Sequence, residues 1–170
     1  MSTRKKAVIL PALLMLAVFL LAGCGSQTDA LVGKMKEKIT MGTYHVETDE
    51  LSNVSMTATV TLPDYSGYML ACLSEAEAAA RDEEDFEKQL YALVTEAAAD
   101  APADCTREVT IDLTALNDKK AQKDWRYEEL AAAAQQAAFD AEVEEFCLQL
   151  LTEAYPADFV PAETESGAAE

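Results

Sequence analysis

Histidine, basic charge and aromatic residues are all scarce in this chain, and each shortage excludes something. The 170 residues include one histidine, His45. A histidine-based metal site cannot be built from a single imidazole unless carboxylates supply the rest. A serine triad would have to use His45, and the sequence has no Gly-x-Ser-x-Gly elbow to present a nucleophile. A Cys-His pair would need His45 beside Cys72, Cys105 or Cys147, and no spacing supports that. Lysine and arginine total 13 against 31 acids, for a net charge of −18. Such a surface repels nucleic acid, so no nucleic-acid role is expected. Aromatics make up 7% of the chain, too few for the sugar cleft that a pair of glycosidase carboxylates requires. No residue set calls for a cofactor or a metal ion.

Cysteine is sparse as well. The spacings of Cys72, Cys105 and Cys147 fit no zinc pattern. Outside the cytoplasm a disulfide is permitted. Three is an odd number, so at least one thiol stays free if the others pair with each other, and the pairing is open.

What is present begins with Arg4, Lys5 and Lys6, followed by an apolar run from Ala7 to Ala22 interrupted only by Pro11. This is the charged and apolar layout of a secretory signal, and it is shorter than the roughly 20 residues of a stable membrane span. It ends on Leu21-Ala22-Gly23-Cys24. That sequence resembles the lipobox of bacterial lipoproteins: a branched apolar residue, two small residues, then cysteine. The resemblance implies a diacylglyceryl group on the Cys24 sulfur and cleavage between Gly23 and Cys24. The residue types suit the chemistry, because a thiolate is the nucleophile that takes the lipid. The chain is therefore expected to be held by lipid on the extracytoplasmic side of the cell membrane.

Removing the three basic residues of the first 23 leaves ten bases against 31 acids, a net of −21 on 147 residues. Three of the ten, Lys34, Lys36 and Lys38, lie close to Cys24. They are candidates for contact with anionic head groups, at up to about 1 kcal/mol each near the surface, although a solvated helix face is the plainer reading. The expected organisation is a signal over 1–23, a lipidated tether over 24–29, one domain over 30–156, and a disordered acidic tail over 157–170.

Within the domain, abundant alanine and few glycines favour helix. Leu31, Met35 and Ile39 recur every four residues, and Gly42 is expected to end that helix. Thr43 to Thr48 reads as a strand with Tyr44 and Val46 on one face and His45 toward solvent. From Ser52 to Leu62, Val54, Met56, Ala58, Val60 and Leu62 alternate with serine and threonines, which predicts a strand with one buried face. Pro63 ends it and Asp64 can cap a helix. Tyr65, Met69, Cys72, Leu73 and Ala76 give one helical stripe. After a break near Asp82, Phe86, Leu90, Leu93, Val94 and Ala97 give another. Arg107 to Leu113 alternates again. Asn117 to Lys120 reads as a polar turn, with Asp124 to Tyr127 as the returning strand of a second hairpin. Glu128 to Ala154 reads as helix, with a break near Asp140. The acid groups Asp82 to Asp85 and Glu142, Glu144, Glu145 read as solvated helix surface. Asn53-Val54-Ser55 matches a glycosylation acceptor and is read as chance.

The order predicts an α+β fold: an antiparallel sheet of two hairpins with helices on one face, similar to the cystatin-like or NTF2-like kind. Ala58-Thr59-Val60-Thr61-Leu62-Pro63-Asp64-Tyr65, then Arg107 to Leu113 and Trp125 before a helix, resembles small uncharacterised lipoproteins, chiefly of Gram-positive gut bacteria. This chain departs from them in its longer connection between Leu113 and Trp125. The resemblance covers about half of the chain beyond Cys24 and implies the fold and the compartment, with no catalytic residue to carry over. The leading expectation is a non-enzymatic binding or interaction domain, with Tyr44, Trp125 and Tyr127 lining the face for a small ligand or an envelope protein. A carboxylate-based hydrolase of envelope material and an accessory subunit of an envelope complex are the alternatives. The hydrolase requires two acids in one concave pocket, one with a raised pKa.

Overall fold

The computed structural model describes residues 26–116 and 125–154. The signal with Gly23 and Cys24, the turn at Asn117 to Lys120, Asp124, and the tail over 157–170 lie outside the described residues.

The fold is α+β. Helix α1 (Ser26–Glu37) leads into strands β1 (Thr40–Thr48) and β2 (Val54–Leu62). Helices α2 (Tyr65–Ala79) and α3 (Glu83–Asp100) precede β3 (Cys105–Asp112). A single turn α4 (Leu113–Leu116) and the long helix α5 (Tyr127–Ala154) complete the described chain. The three strands form one antiparallel sheet in the order β1-β2-β3. Helix α5 crosses this sheet and touches all three strands, while α1 and α2 pack against α5 and α3 packs against α1 and α2.

Period-two alternation in β2 does what it predicts. Met56, Ala58, Val60 and Leu62 are buried, and the threonines between them face outward. On β3, Val109 and Ile111 join the same core, followed by Leu113 in α4. Helix α1 buries Leu31 and Met35, with Ile39 just past its end, and α2 buries Tyr65, Met69, Cys72, Leu73 and Ala76. Each fully buried large apolar side chain contributes about 1.5–3 kcal/mol.

Four expectations are corrected. First, α1 begins at Ser26 and ends at Glu37, so the helix starts inside the stretch read as tether, and Gly42 does not end it. Gly42 lies in β1, where the register slips between Met41 and Tyr44. A Cβ there would stand 3.4 Å from the Thr59 carbonyl oxygen, an ordinary contact, so the glycine sits at the irregularity of the strand without a close approach that demands it. Second, no strand forms at the predicted second return. Trp125 and Arg126 lie outside any strand and Tyr127 opens α5. Acids at Glu128 and Glu129 suit that first helical turn. Third, α5 runs unbroken through Asp140. Nothing there removes a backbone donor, and Ala138 and Phe139 stay in the core. Fourth, Glu142 is not solvated surface, being 2% exposed.

Asp64 caps α2 as expected, its carboxylate accepting the Gly67 N–H at 2.9 Å and the Ser66 hydroxyl at 3.2 Å. Replacing Asp64 with alanine is expected to cost about 1 kcal/mol of stability, read as a lower denaturant midpoint at unchanged slope. A variant as stable as the parent would show that the cap is redundant with the contacts of Ser66.

Candidate functional site

Two clusters of polar and aromatic side chains stand out on the described surface. The first lies where β1 meets α5. Tyr44 sits in β1 opposite Ala58, on an edge strand, and stays 45% exposed. Tyr127, in the first turn of α5, is 53% exposed. The two rings lie 6.3 Å apart, tilted by 54°, and the Tyr127 hydroxyl donates to the Met41 carbonyl at 3.4 Å. Trp125, by contrast, is half-buried against the core. Of the three residues placed on the binding face, the fold thus brings two together in the open and turns the third inward.

From Tyr44 a shallow open recess of about 220 Å³ runs across the outer face of the sheet, lined by Thr43, Tyr44, His45, Thr57, Thr59 and Glu108. Its floor is a grid of hydroxyls. Thr43 Oγ1 donates to Thr59 Oγ1 at 3.4 Å, and the Thr57 and Thr110 hydroxyls are equally spaced. His45 points to solvent, as its place in the strand predicts, with Nε2 3.1 Å from Glu47 Oε1. No described helix covers this face.

The second cluster lies between α2, α5 and β3. Both Glu142 oxygens are engaged. Oε2 accepts the Ser66 N–H at 2.9 Å and Oε1 lies 2.9 Å from the Arg107 guanidinium. Arg107 also bonds Glu145. Burial pushes the Glu142 carboxyl above the ordinary range, and the Ser66 N–H and Arg107 oppose that rise. Burial, with the Glu142 charge nearby, likewise raises the Tyr65 phenol. That hydroxyl donates to the Met35 carbonyl at 2.8 Å inside the core. This is the one described place where two acids meet and one has a raised pKa. It lacks what a hydrolase needs: Glu142 has no oxygen left for a substrate, and Arg107 stands between the acids. The arrangement ties three elements together and holds a carboxylate at the N-terminus of α2.

No protein-family model matches this chain, and neither do any curated proteins or solved structures.

The lysines near the anchor are used unequally. Lys36 donates to Gln136 Oε1 at 2.5 Å and lies 5.3 Å over the Phe139 ring. Lys38 donates to the carbonyls of Ala99 and Ala101, at 2.5 and 2.9 Å, closing the end of α3. Lys34 is exposed. Cys72, Cys105 and Cys147 are free thiols. Burial raises the pKa of all three, most simply for Cys147, where it is the sole cause. A raised pKa keeps them as thiols at neutral pH, the opposite of what a nucleophilic cysteine requires. Among the described residues, no helix is long and apolar enough to cross a membrane, and no group of three or more His, Cys, Asp or Glu is placed to hold a metal ion.

Proposed function

We propose that this chain is a bacterial lipoprotein, anchored through lipid on Cys24 to the extracytoplasmic face of the cell membrane, whose folded domain binds a ligand or partner without catalysing a reaction. The observation that carries the reading is the sequence Leu21-Ala22-Gly23-Cys24 at the end of a basic-then-apolar leader. Its acidic surface and single histidine support the remainder by leaving no catalytic set. The domain is the fold's α+β layer, and we place it with the cystatin-like or NTF2-like kind. One long helix across the sheet and a bulge that bends β1 support that placement.

The binding face we assign is the β1 edge of the sheet, where Tyr44 meets Tyr127 at the start of α5. Two adjoining exposed rings beside a hydroxyl-lined recess offer a flat apolar surface with hydrogen-bonding groups around it. Trp125 is not part of this face, since it packs against the core. Lys34 is the cation left to meet head groups, while Lys36 and Lys38 spend their ammonium groups on the protein itself.

The test is metabolic labelling of producing cells with an alkynyl fatty acid, followed by capture of the tagged protein. Label on the protein, located to an N-terminal peptide beginning at Cys24, is the expected result. An unlabelled protein with a mature terminus elsewhere would remove the lipoprotein reading.

A further inference from the structure

The hairpin between β1 and β2 is built with more order than a solvent loop needs. Asp49 Oδ1 accepts the N–H groups of Leu51 and Asn53, at 2.9 and 2.8 Å, while Oδ2 accepts the Asn53 side-chain amide at 2.8 Å. The backbone closes on itself twice, from Asp49 N–H to the Asn53 carbonyl at 3.0 Å and from Ser52 N–H to the Asp49 carbonyl at 3.1 Å. Ser52 is held at φ 67°, in the left-handed region that a non-glycine residue adopts only when its surroundings compel it. These bonds do not use the Leu51 side chain. The loop presents Leu51 with 83% of its surface exposed, the most exposed large apolar residue among those described. From Glu47 to Asn53 the tip carries Glu47, Asp49 and Glu50 and no lysine or arginine. Hydrogen bonds from Asn53 hold the Asp49 carboxyl below its ordinary range, so the loop and its charge persist into mild acid.

We infer that this tip is a protein-docking point, with Leu51 entering an apolar pocket on a partner whose rim carries lysine or arginine facing Glu47 and Glu50. A leucine fixed in advance on a bonded loop loses little conformational freedom on docking, which favours binding. The acids select the rim by charge complementarity. The same acids oppose insertion of the tip into an anionic bilayer. They also oppose docking of a second copy of this acidic chain. The tip is separate from the face at Tyr44 and Tyr127, and the inference does not depend on lipid at Cys24.

The test places a photoreactive diazirine amino acid at position 51 of the full chain in producing cells, with the exposed position 87 on α3 as control. After illumination, the adduct is identified by mass spectrometry and the partner is purified. Support requires three results together: an adduct with one protein at 51 and none at 87, binding of the purified pair weakened at least tenfold by Leu51→Ser, and further weakening by Glu50→Lys or by added salt. Neither substitution touches the loop's hydrogen bonds, so both variants should melt with the parent. A protein adduct without the tenfold loss overturns the inference. So do an adduct with lipid alone, an adduct with a second copy of the chain, and no adduct at 51 above the control.

Discussion

Replacing Cys24 with serine is expected to abolish lipid labelling completely and to leave a longer, uncleaved chain in the membrane fraction. Both effects follow from the chemistry of the position. At neutral pH a serine hydroxyl offers almost none of its deprotonated form, whereas a thiol is within reach of its pKa and its anion is the better nucleophile. In the lipoproteins this leader resembles, cleavage waits for the lipid, so the unmodified chain keeps Ala7 to Ala22 attached. That run is too short for a stable span, yet apolar enough to hold the precursor at the bilayer. The informative comparison is therefore a second variant, with residues 1–24 exchanged for an ordinary cleavable secretory signal. That protein is expected to leave the cell surface, because the exchange removes Cys24 and with it the proposed site of the lipid. If the exchanged protein stays with the membrane, the domain itself binds there and the lipid is not the sole anchor.

Arg107→Met is expected to be the most damaging single substitution outside the apolar core, costing about 3–5 kcal/mol at neutral pH. Glu142 would lose the guanidinium 2.9 Å away while staying buried, with the Ser66 N–H still donating to its other oxygen. The pH dependence gives this effect a direction. Glu142 already has a folded-state pKa above the ordinary carboxyl range, and removing the cation raises it further. A carboxyl with a raised folded pKa contributes stability at low pH and loses it as pH rises through the folded value. The deficit of Arg107→Met should therefore shrink as the solution is taken from a neutral to a mildly acidic pH, toward the ordinary carboxyl range. Denaturant melts at the two pH values test this. An equal deficit at both would assign the loss to the packing of the arginine stem. Adding Glu142→Leu should restore most of the loss at neutral pH, since the buried charge is then gone.

The strands, and the stripes of α1, α2 and α3, were legible because each follows one period over its length. From Val54 to Leu62 every second residue is apolar, and that alone placed β2 and its faces. The misreadings came where two signals competed. Gly42 looked like a helix end, since glycine serves there as readily as in a bulge, and only the pairing of Met41 and Tyr44 with β2 on either side decides between them. Trp125 and Tyr127 are good strand residues, but the acids at Glu128 and Glu129 and the alanines beyond start a helix that takes Tyr127 with it. Glu142 was readable in principle. It falls one turn after Ala138 and Phe139 and one turn before Phe146, on the buried stripe of α5. Its place among other acids hid that, and its partner Arg107 is 35 positions earlier on a different element. Tyr44 and Tyr127 were grouped on one face through a return strand that does not form at Trp125 to Tyr127; their meeting depends instead on where α5 begins relative to the edge of the sheet.

The start of α1 at Ser26 has a consequence for how the domain stands on a cell. On the lipid anchor proposed at Cys24, a single residue, Gly25, would separate the anchored cysteine from that helix. The near end of a body of this charge would then sit within about one Debye length of the head groups at physiological salt. It would have little slack with which to retreat from an anionic surface, leaving rotation about the anchor. The acids would turn the domain until a less negative edge faces down, and Lys34, exposed on α1, lies close to the anchor in sequence. The short leash would thus act as a compass needle's pivot, converting a net repulsion into a fixed heading.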